Sequence, residues 1–420
     1  STLSSSSAAS DVYKRQVDAL APRGVALFLS EARSLSLEER AFLAERGVEW
    51  EEGGHTSRLL AADLVVPSPG VPPHRPVLQE ARRRKIPIWS EIELAFRLAA
   101  PAALIAVTGT NGKSTTVELV AAILRAAGLD PIVAGNIGCP AASTVDAVSA
   151  RPWVLEVSSY QLEWTEAFRP TVAVWLNFAP DHLDHHGTLA AYFAAKARII
   201  ARQREEDTAV LGREILSWTA PRARSVDYGR VEVPPGWGEG LPLHLQADLR
   251  AAWAAATAAF PAVEGSPPPY GEVAPAIHQP HRLQRVGEIG GIPFVDDSKG
   301  TNAHATAAAL TAISGRVVLI LGGRLKGGGY DVLVPLIHDK VRACVLIGES
   351  QGYFAHLLPS AGVPCERADD PADALRRAYR LAQPGDTVLL SPACASFDQF
   401  RDYAHRGEAF QRAFTALAAG

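Results

Sequence analysis

Residues 103–128 read ALIAVTGTNGKSTTVELVAAILRAAG. An unbroken apolar run leads into a glycine-punctuated turn, and a helix-forming stretch closed by Gly128 follows. A buried strand feeding a helix through such a turn demands a parallel sheet with a crossover helix, which commits the chain to an α/β fold. The turn Thr108-Gly109-Thr110-Asn111-Gly112-Lys113-Ser114-Thr115 lets backbone N–H groups approach an anion closely at the helix N-terminus. Lys113 can neutralise β- and γ-phosphates, and the Ser114 hydroxyl can ligate Mg²⁺. The loop departs from the strict phosphate-loop pattern, because Val107 holds the position of its first glycine. A plain glycine-rich turn is the bland alternative.

Further strands alternate with helices on both sides of this unit. Residues 24–30 and 62–67 read as short strands flanking a helix that Ser36 caps, Glu38 and Glu39 open, and Gly47 ends. WVLEVS (153–158) and VAVWLNF (172–178) extend the strand series, and residues 217–246 read as irregular or short antiparallel strands. Beyond the loop at 265–275 come four strand-like runs, IPFVDDS, RVVLILGG, ACVLIGE and DTVLLSP, which predict a further doubly wound α/β domain. The predicted fold class is α/β, with three domains, parallel doubly wound sheets and a phosphate loop in the central domain. The expected boundaries are 17–92, 93–278 and 279–420. Residues 1–16 are Ser-rich, lack an apolar period and are set aside as a foreign-looking leader.

Composition narrows the function. A net charge of −4 in 420 residues argues against nucleic acid as the main partner. No long uncharged apolar stretch predicts a membrane span. Cys139, Cys344, Cys365 and Cys394 form no CxxC pair and read as reduced thiols of a cytoplasmic protein. Arginine outnumbers lysine 34 to 7, yet Lys113, Lys196, Lys299 and Lys326 all fall inside the motifs, as do the four asparagines Asn111, Asn136, Asn177 and Asn302. Chance is the competing explanation for that concentration.

Glu156 closes an apolar strand, where a parallel sheet places Mg²⁺ ligands. A solvated strand-end carboxylate is the alternative. His182 sits in the cluster Asp181-His182-Leu183-Asp184-His185-His186, which by composition is either a metal site or a polar loop. Lys196, in AAYFAAKARII, is by default a surface lysine, and Lys326, in LGGRLKGG, a loop cation.

The form TGTNGKST resembles the Mur ligase and folylpolyglutamate synthetase superfamily. Gly135-Asn136-Ile137-Gly138, LEVSSYQLE (155–163), LNFAPDHLDHHGT (176–188), the segment around Lys196, PHR (280–282), DDSKGTN (296–302) and LSPACASFDQF (390–400) resemble its muramoyl-alanine:D-glutamate ligases at matching spacing. The resemblance implies ATP held by Gly109, Thr110, Asn111, Gly112, Lys113, Ser114 and Thr115, with Arg282, Asp297 (on the ribose) and Lys299 from the last domain. It implies two Mg²⁺ ions on Ser114, Glu156, His182 and Lys196, the lysine carbamylated by CO₂. Lys113, Glu156, His182 and Lys196 are then the catalytic set. UDP-N-acetylmuramoyl-L-alanine falls to Ser68, Asn136, Ser158, Ser159 and Gln161, and D-glutamate to Thr301, Lys326, Ser396 and Tyr403. Asn302 is expected to brace its loop, and His281 and Arg282 to form a hinge. The implied reaction activates the muramoyl carboxylate as an acyl phosphate, which the amine of D-glutamate attacks. A monomer is expected.

Two features depart from that pattern. The glycine-rich uridine diphosphate turn would fall where the leader lies, leaving Ser68-Pro69-Gly70 in a later loop. Asp248 and Ala251 stand where an asparagine pattern is expected, which predicts a lost nucleotide contact. Two rival readings are a sister ligase for another amino acid or for folate, and a nucleotide-binding fragment impaired in its first domain. The absence of a DNPR-type loop disfavours the diamino-acid ligases.

Overall fold

The computed structural model describes residues 7–69, 71–99, 101–147 and 151–419, with side chains from residue 12 onward. Gly70 lies outside the described residues. Two compact units emerge, one built of residues up to Asn177 with Ala190–Trp237 and Ala247–Val273, the other of Phe178–Leu189, Gly238–Gln246 and Ala274 onward.

The first unit contains two sheets. β1 (Phe28–Glu31) and β2 (Glu49–Glu52) pair in parallel across the helix Leu37–Glu45. That helix starts as its sequence predicts: Ser36 and Glu39 form a reciprocal capping box. Residues 62–67 form no strand, contrary to expectation. Only Val65 makes a bridge, to Ile88, since Pro67 and Pro69 withhold the N–H groups a ladder needs. The stretch set aside as a leader is partly structured. A helix runs over Ser7–Leu20, and Tyr13 and Val17 pack with Leu35, Leu43 and Val48.

The larger sheet has β3 (Ala103–Thr108), β4 (Ile132–Gly135), β5 (Pro152–Glu156), β6 (Val172–Trp175), β7 (Thr208–Leu211) and β8 (Arg224–Asp227), in the order β4-β5-β3-β6-β7-β8. Every pairing is parallel, including β7 with β8, so the antiparallel alternative for residues 217–246 is wrong. All residues of β3 are buried, as a strand covered on both faces requires. Lys196 lies well inside the helix Leu189–Ala201.

The second unit carries β9 (Gln284–Ile289), β10 (Ile292–Asp296), β11 (Val317–Gly322), β12 (Val341–Ile347), β13 (Cys365–Arg367) and β14 (Thr387–Leu390). Their order is β13-β12-β11-β14-β10-β9, parallel except for β9 against β10. Val317, Leu319 and Leu321 face one apolar cluster while Val318 and Ile320 face another. That two-sided burial explains why β11 reads as a continuous apolar run.

Candidate nucleotide and substrate site

The chain leaves β3 at Thr108 and enters the helix Lys113–Ala126 through Gly112, whose φ of 86° is left-handed. Lys113 Nζ donates to the carbonyls of Gly109 and Thr110, each at 2.9 Å, so the ammonium lies folded over the loop it serves. Asn177, just past β6, braces the same loop. Its Oδ1 accepts from Asn111 N at 2.9 Å and its Nδ2 donates to Asn111 O at 3.1 Å. Asp248, foreseen as a lost nucleotide contact, is buried against Gly112.

β5 runs beside β3 in a register that sets Glu156 opposite Val107, at the strand edge from which the loop departs. Glu156 is buried, and its Oε1 accepts from Asn136 Nδ2 at 2.8 Å. Its Oε2 is buried with no hydrogen-bond partner. A carboxylate oxygen without a donor, at the end of a parallel strand, fits a hard cation that takes oxygen ligands. Asn136 is held close because Gly135, at φ 100°, lets its backbone approach Glu156, where a Cβ would stand 2.3 Å from the Glu156 carbonyl oxygen. Lys196 is 1% exposed and reaches the same loop, its Nζ donating to Gly109 O at 2.8 Å. Burial excludes the surface-lysine alternative. Tyr192, one turn earlier, lies under the amine and exchanges a hydrogen bond with Thr110.

Ser158 caps the short helix Ser159–Leu162, and Gln161 Oε1 accepts in return from Ser158 N at 3.0 Å. Ser159 and Gln161 are buried. Ser68 is half-buried in the turn that closes with Val71 N donating to its carbonyl.

In the second unit, Asp181 is a hub. Its carboxylate accepts from Asn302 Nδ2 at 3.1 Å and from His182 N at 2.9 Å, and Lys326 Nζ stands 3.9 Å away. Lys326 also donates to Thr301 Oγ1 at 3.2 Å, so two residues expected on D-glutamate do meet. His182 begins the short helix Leu183–His186 in a left-handed conformation, so the cluster is not a plain loop. Lys299 donates to Gln279 and lies over the Tyr403 ring, at 5.7 Å from its centroid. Asn302 caps the helix Ala303–Ala312 as a brace should. Asp297 is buried and accepts from Ser391 Oγ and Leu283 N. Burial pushes its carboxyl up to about 7, against the pull of Ser391 and Arg282. His281 Nδ1 bonds Asp296 Oδ2 at 2.7 Å, and His281 and Leu283 both have positive φ.

Sequence reasoning missed three residues. Asn177 and Asp181 were quoted within a motif without a role. Arg406 was not singled out at all, though an arginine in an otherwise apolar helical period is the available signal. It is 1% exposed and donates to Ser298 Oγ, Ser298 O and Cys394 O, joining the loop of Lys299 and Thr301 to the loop of Ser396. Burial pushes its guanidinium down to about 10, still charged at neutral pH.

No helix among the described residues is long and apolar enough to cross a membrane, and all four cysteines are free.

Residues 16–77 match the MurD N-terminal domain, 107–229 the Mur ligase middle domain, and 281–394 the Mur ligase, glutamate ligase domain. The chain is 37% identical to the UDP-N-acetylmuramoylalanine–D-glutamate ligase of Koribacter versatilis, over 95% of this chain and 94% of that one. It is 41% identical to that of Frankia casuarinae, over 90% and 85%. Among solved structures, MurF ligase from Thermotoga maritima in complex with ADP is similar in fold, with a TM-score of 0.57 at 17% identity over 84% of this chain and 95% of that one. Folylpolyglutamate synthase of Mycobacterium tuberculosis complexed with ADP gives 0.58 at 16% identity, over 77% and 93%. By sequence over nearly its full length, the chain belongs to the UDP-N-acetylmuramoylalanine–D-glutamate ligase family.

Proposed function

We propose that this protein joins D-glutamate to UDP-N-acetylmuramoyl-L-alanine in the cytoplasm, as a monomer, releasing ADP and phosphate during peptidoglycan precursor synthesis. The observation that carries the reading is the phosphate loop with Lys113 folded over it, beside a buried Glu156 whose Oε2 has no donor. ATP supplies the phosphoryl group; Ser114, Glu156, His182 and a carbamylated Lys196 would hold two Mg²⁺ ions, which would offset the charge of the phosphates. Lys113 draws the β- and γ-phosphates onto the loop amides, and Asn177 keeps those amides aimed. Asn136, Ser158, Ser159, Gln161 and Ser68 hold the muramoyl substrate so that its alanine carboxylate meets the γ-phosphate. The resulting acyl phosphate is open to attack by an amine. Arg282, Asp297 and Lys299 serve the nucleotide. Lys326, Thr301, Ser396 and Tyr403 orient D-glutamate, whose two carboxylates call for cationic and hydroxyl donors.

ADP release is to be measured with the UDP-muramoyl-alanine substrate and a panel of amino acids. Release that requires D-glutamate is expected; release with L-alanine or a diamino acid instead would overturn the assignment. Lys196→Ala is expected to abolish ligation, with partial recovery on adding a short-chain carboxylic acid that replaces the carbamate. Absence of recovery with intact nucleotide binding counts against the modification.

A further inference from the structure

Lys326 stands in the turn between β11 and the helix Leu333–Lys340, and three glycines follow it. Gly327, Gly328 and Gly329 take φ of 93°, 118° and 82°, so the turn stays in the left-handed region for three residues in succession. Glycine adopts that conformation without strain, but a run of three is poorly able to hold one shape by itself. Before the lysine the turn is pinned by a reciprocal pair. Arg324 N donates to Ala395 O at 2.9 Å, and Ala395 N donates to Arg324 O at 3.0 Å, which ties the turn to the segment of Ser396. Beyond the glycines it is pinned again, at Tyr330.

Tyr330 opens the 3₁₀ turn Tyr330–Val332 and is 2% exposed. Its ring packs edge-on against Phe354, with 5.4 Å between centroids, inside the apolar cluster of Leu333 and Ile337. The side chain folds back over the glycines, and its Oη accepts from the backbone N–H of Lys326 at 3.0 Å. Cys394 Sγ donates to the same oxygen at 3.9 Å. Ser350 Oγ, which accepts from Gly323 N at 3.0 Å, stands 3.8 Å from that sulfur. A phenol fixed in the core thus closes a ring across the three glycines and sets where Lys326 leaves the chain. From there Lys326 Nζ reaches Thr301 Oγ1.

We infer that Tyr330 is a positioning residue for D-glutamate, its hydroxyl acting through Lys326. The inference rests on the substrate reading proposed above, in which Lys326 and Thr301 orient that amino acid. A cation on a long side chain finds one geometry more often when its root is held before the substrate arrives. Phenylalanine at position 330 keeps the ring and its packing but leaves the Lys326 N–H without its acceptor. The glycine run then samples other shapes, and the ammonium moves with it.

The test compares wild type with Tyr330→Phe, Lys326→Ala and the double variant by steady-state kinetics. For Y330F the KM for D-glutamate is expected to rise on the order of tenfold. The KM values for ATP and UDP-N-acetylmuramoyl-L-alanine are expected to hold. In the Lys326→Ala background, Y330F is expected to add nothing to the loss in kcat/KM for D-glutamate, because the hydroxyl acts through that lysine. An unchanged D-glutamate KM in Y330F, a common rise of all three KM values, or a further loss in the double variant overturns the inference. Should Y330F not fold, hydrogen exchange in the wild type reads the same contact. The Lys326 amide is expected to be protected well beyond that of Gly328, and equal exchange is equally fatal. ADP release by the wild type separates the two claims. Release that does not require D-glutamate sinks the substrate reading, whereas a D-glutamate requirement whose KM Y330F leaves untouched sinks only the role of Tyr330.

Discussion

At Gly112 a methyl group would stand 2.2 Å from the Asp248 carboxylate while holding a φ of 86°. Both the clash and the left-handed backbone oppose any side chain, at about 1–3 kcal/mol for the strain alone. Gly112→Ala is expected to displace the loop, lowering nucleotide affinity at least tenfold by calorimetry; unchanged affinity would show that the loop tolerates the shift. Buried carboxyls give a second residue-scale prediction. Burial pushes Glu91 up to about 7, against the donors Ala142, Ala141 and Gln161, and pushes Asp297 up to about 7 as well. A carboxyl whose folded pKa is raised binds its proton more tightly in the native than in the unfolded chain. Its contribution to stability is therefore greatest below the ordinary carboxyl range, declines as pH rises toward about 7, and is flat above. Glu91→Gln removes one titrating group, so its loss of unfolding free energy between pH 5 and pH 7 should be shallower than in wild type, by about 3 kcal/mol at most. Parallel curves would contradict the burial argument.

The helix Ser7–Leu20 shows how an element escapes a reading based on composition. Its serines carry no apolar period, yet Tyr13 and Val17 cover Leu43 and Val48, and Tyr13 Oη donates to the buried Glu39 at 3.1 Å. Tyr13→Ala is expected to destabilise the β1-β2 region by about 3 kcal/mol. Hydrogen exchange over residues 28–52 checks this, and unchanged protection would make the helix dispensable. The buried inner strands β3, β5, β6, β11 and β14 were legible because covered faces on both sides force unbroken apolar runs. β2, with the sequence EWEE, was not legible, nor was the three-residue β13, because short edge strands are fixed by their neighbours rather than by their own pattern. The 62–67 stretch misled in the opposite direction: Val65 is buried and bridges Ile88, but its apolar neighbours are only half-buried and join no ladder.

Across the whole chain, the residues legible as chemical were those that composition made rare. Lysine and asparagine are scarce here, and their motif positions proved to be loop braces and buried amines: Lys113, Lys196, Asn136, Asn177 and Asn302. Arg406 stayed hidden because its one signal, a charge at a core position of an apolar helical period, shows only once the helix Tyr403–Ala419 is in place. Each unit carries a six-stranded sheet, wholly parallel in the first and parallel but for β9 in the second, and strand ends are where such sheets present ligand sites. The proposed function requires Glu156 Oε2 to serve a metal that joins nucleotide to protein. Nucleotide titration by calorimetry, with and without Mg²⁺, tests this directly. Wild type is expected to bind more tightly with Mg²⁺, Glu156→Gln to keep the metal-free affinity but lose the gain, and Lys113→Ala to be weak in both. A Glu156→Gln protein whose affinity still rises with Mg²⁺ as in wild type would contradict that role.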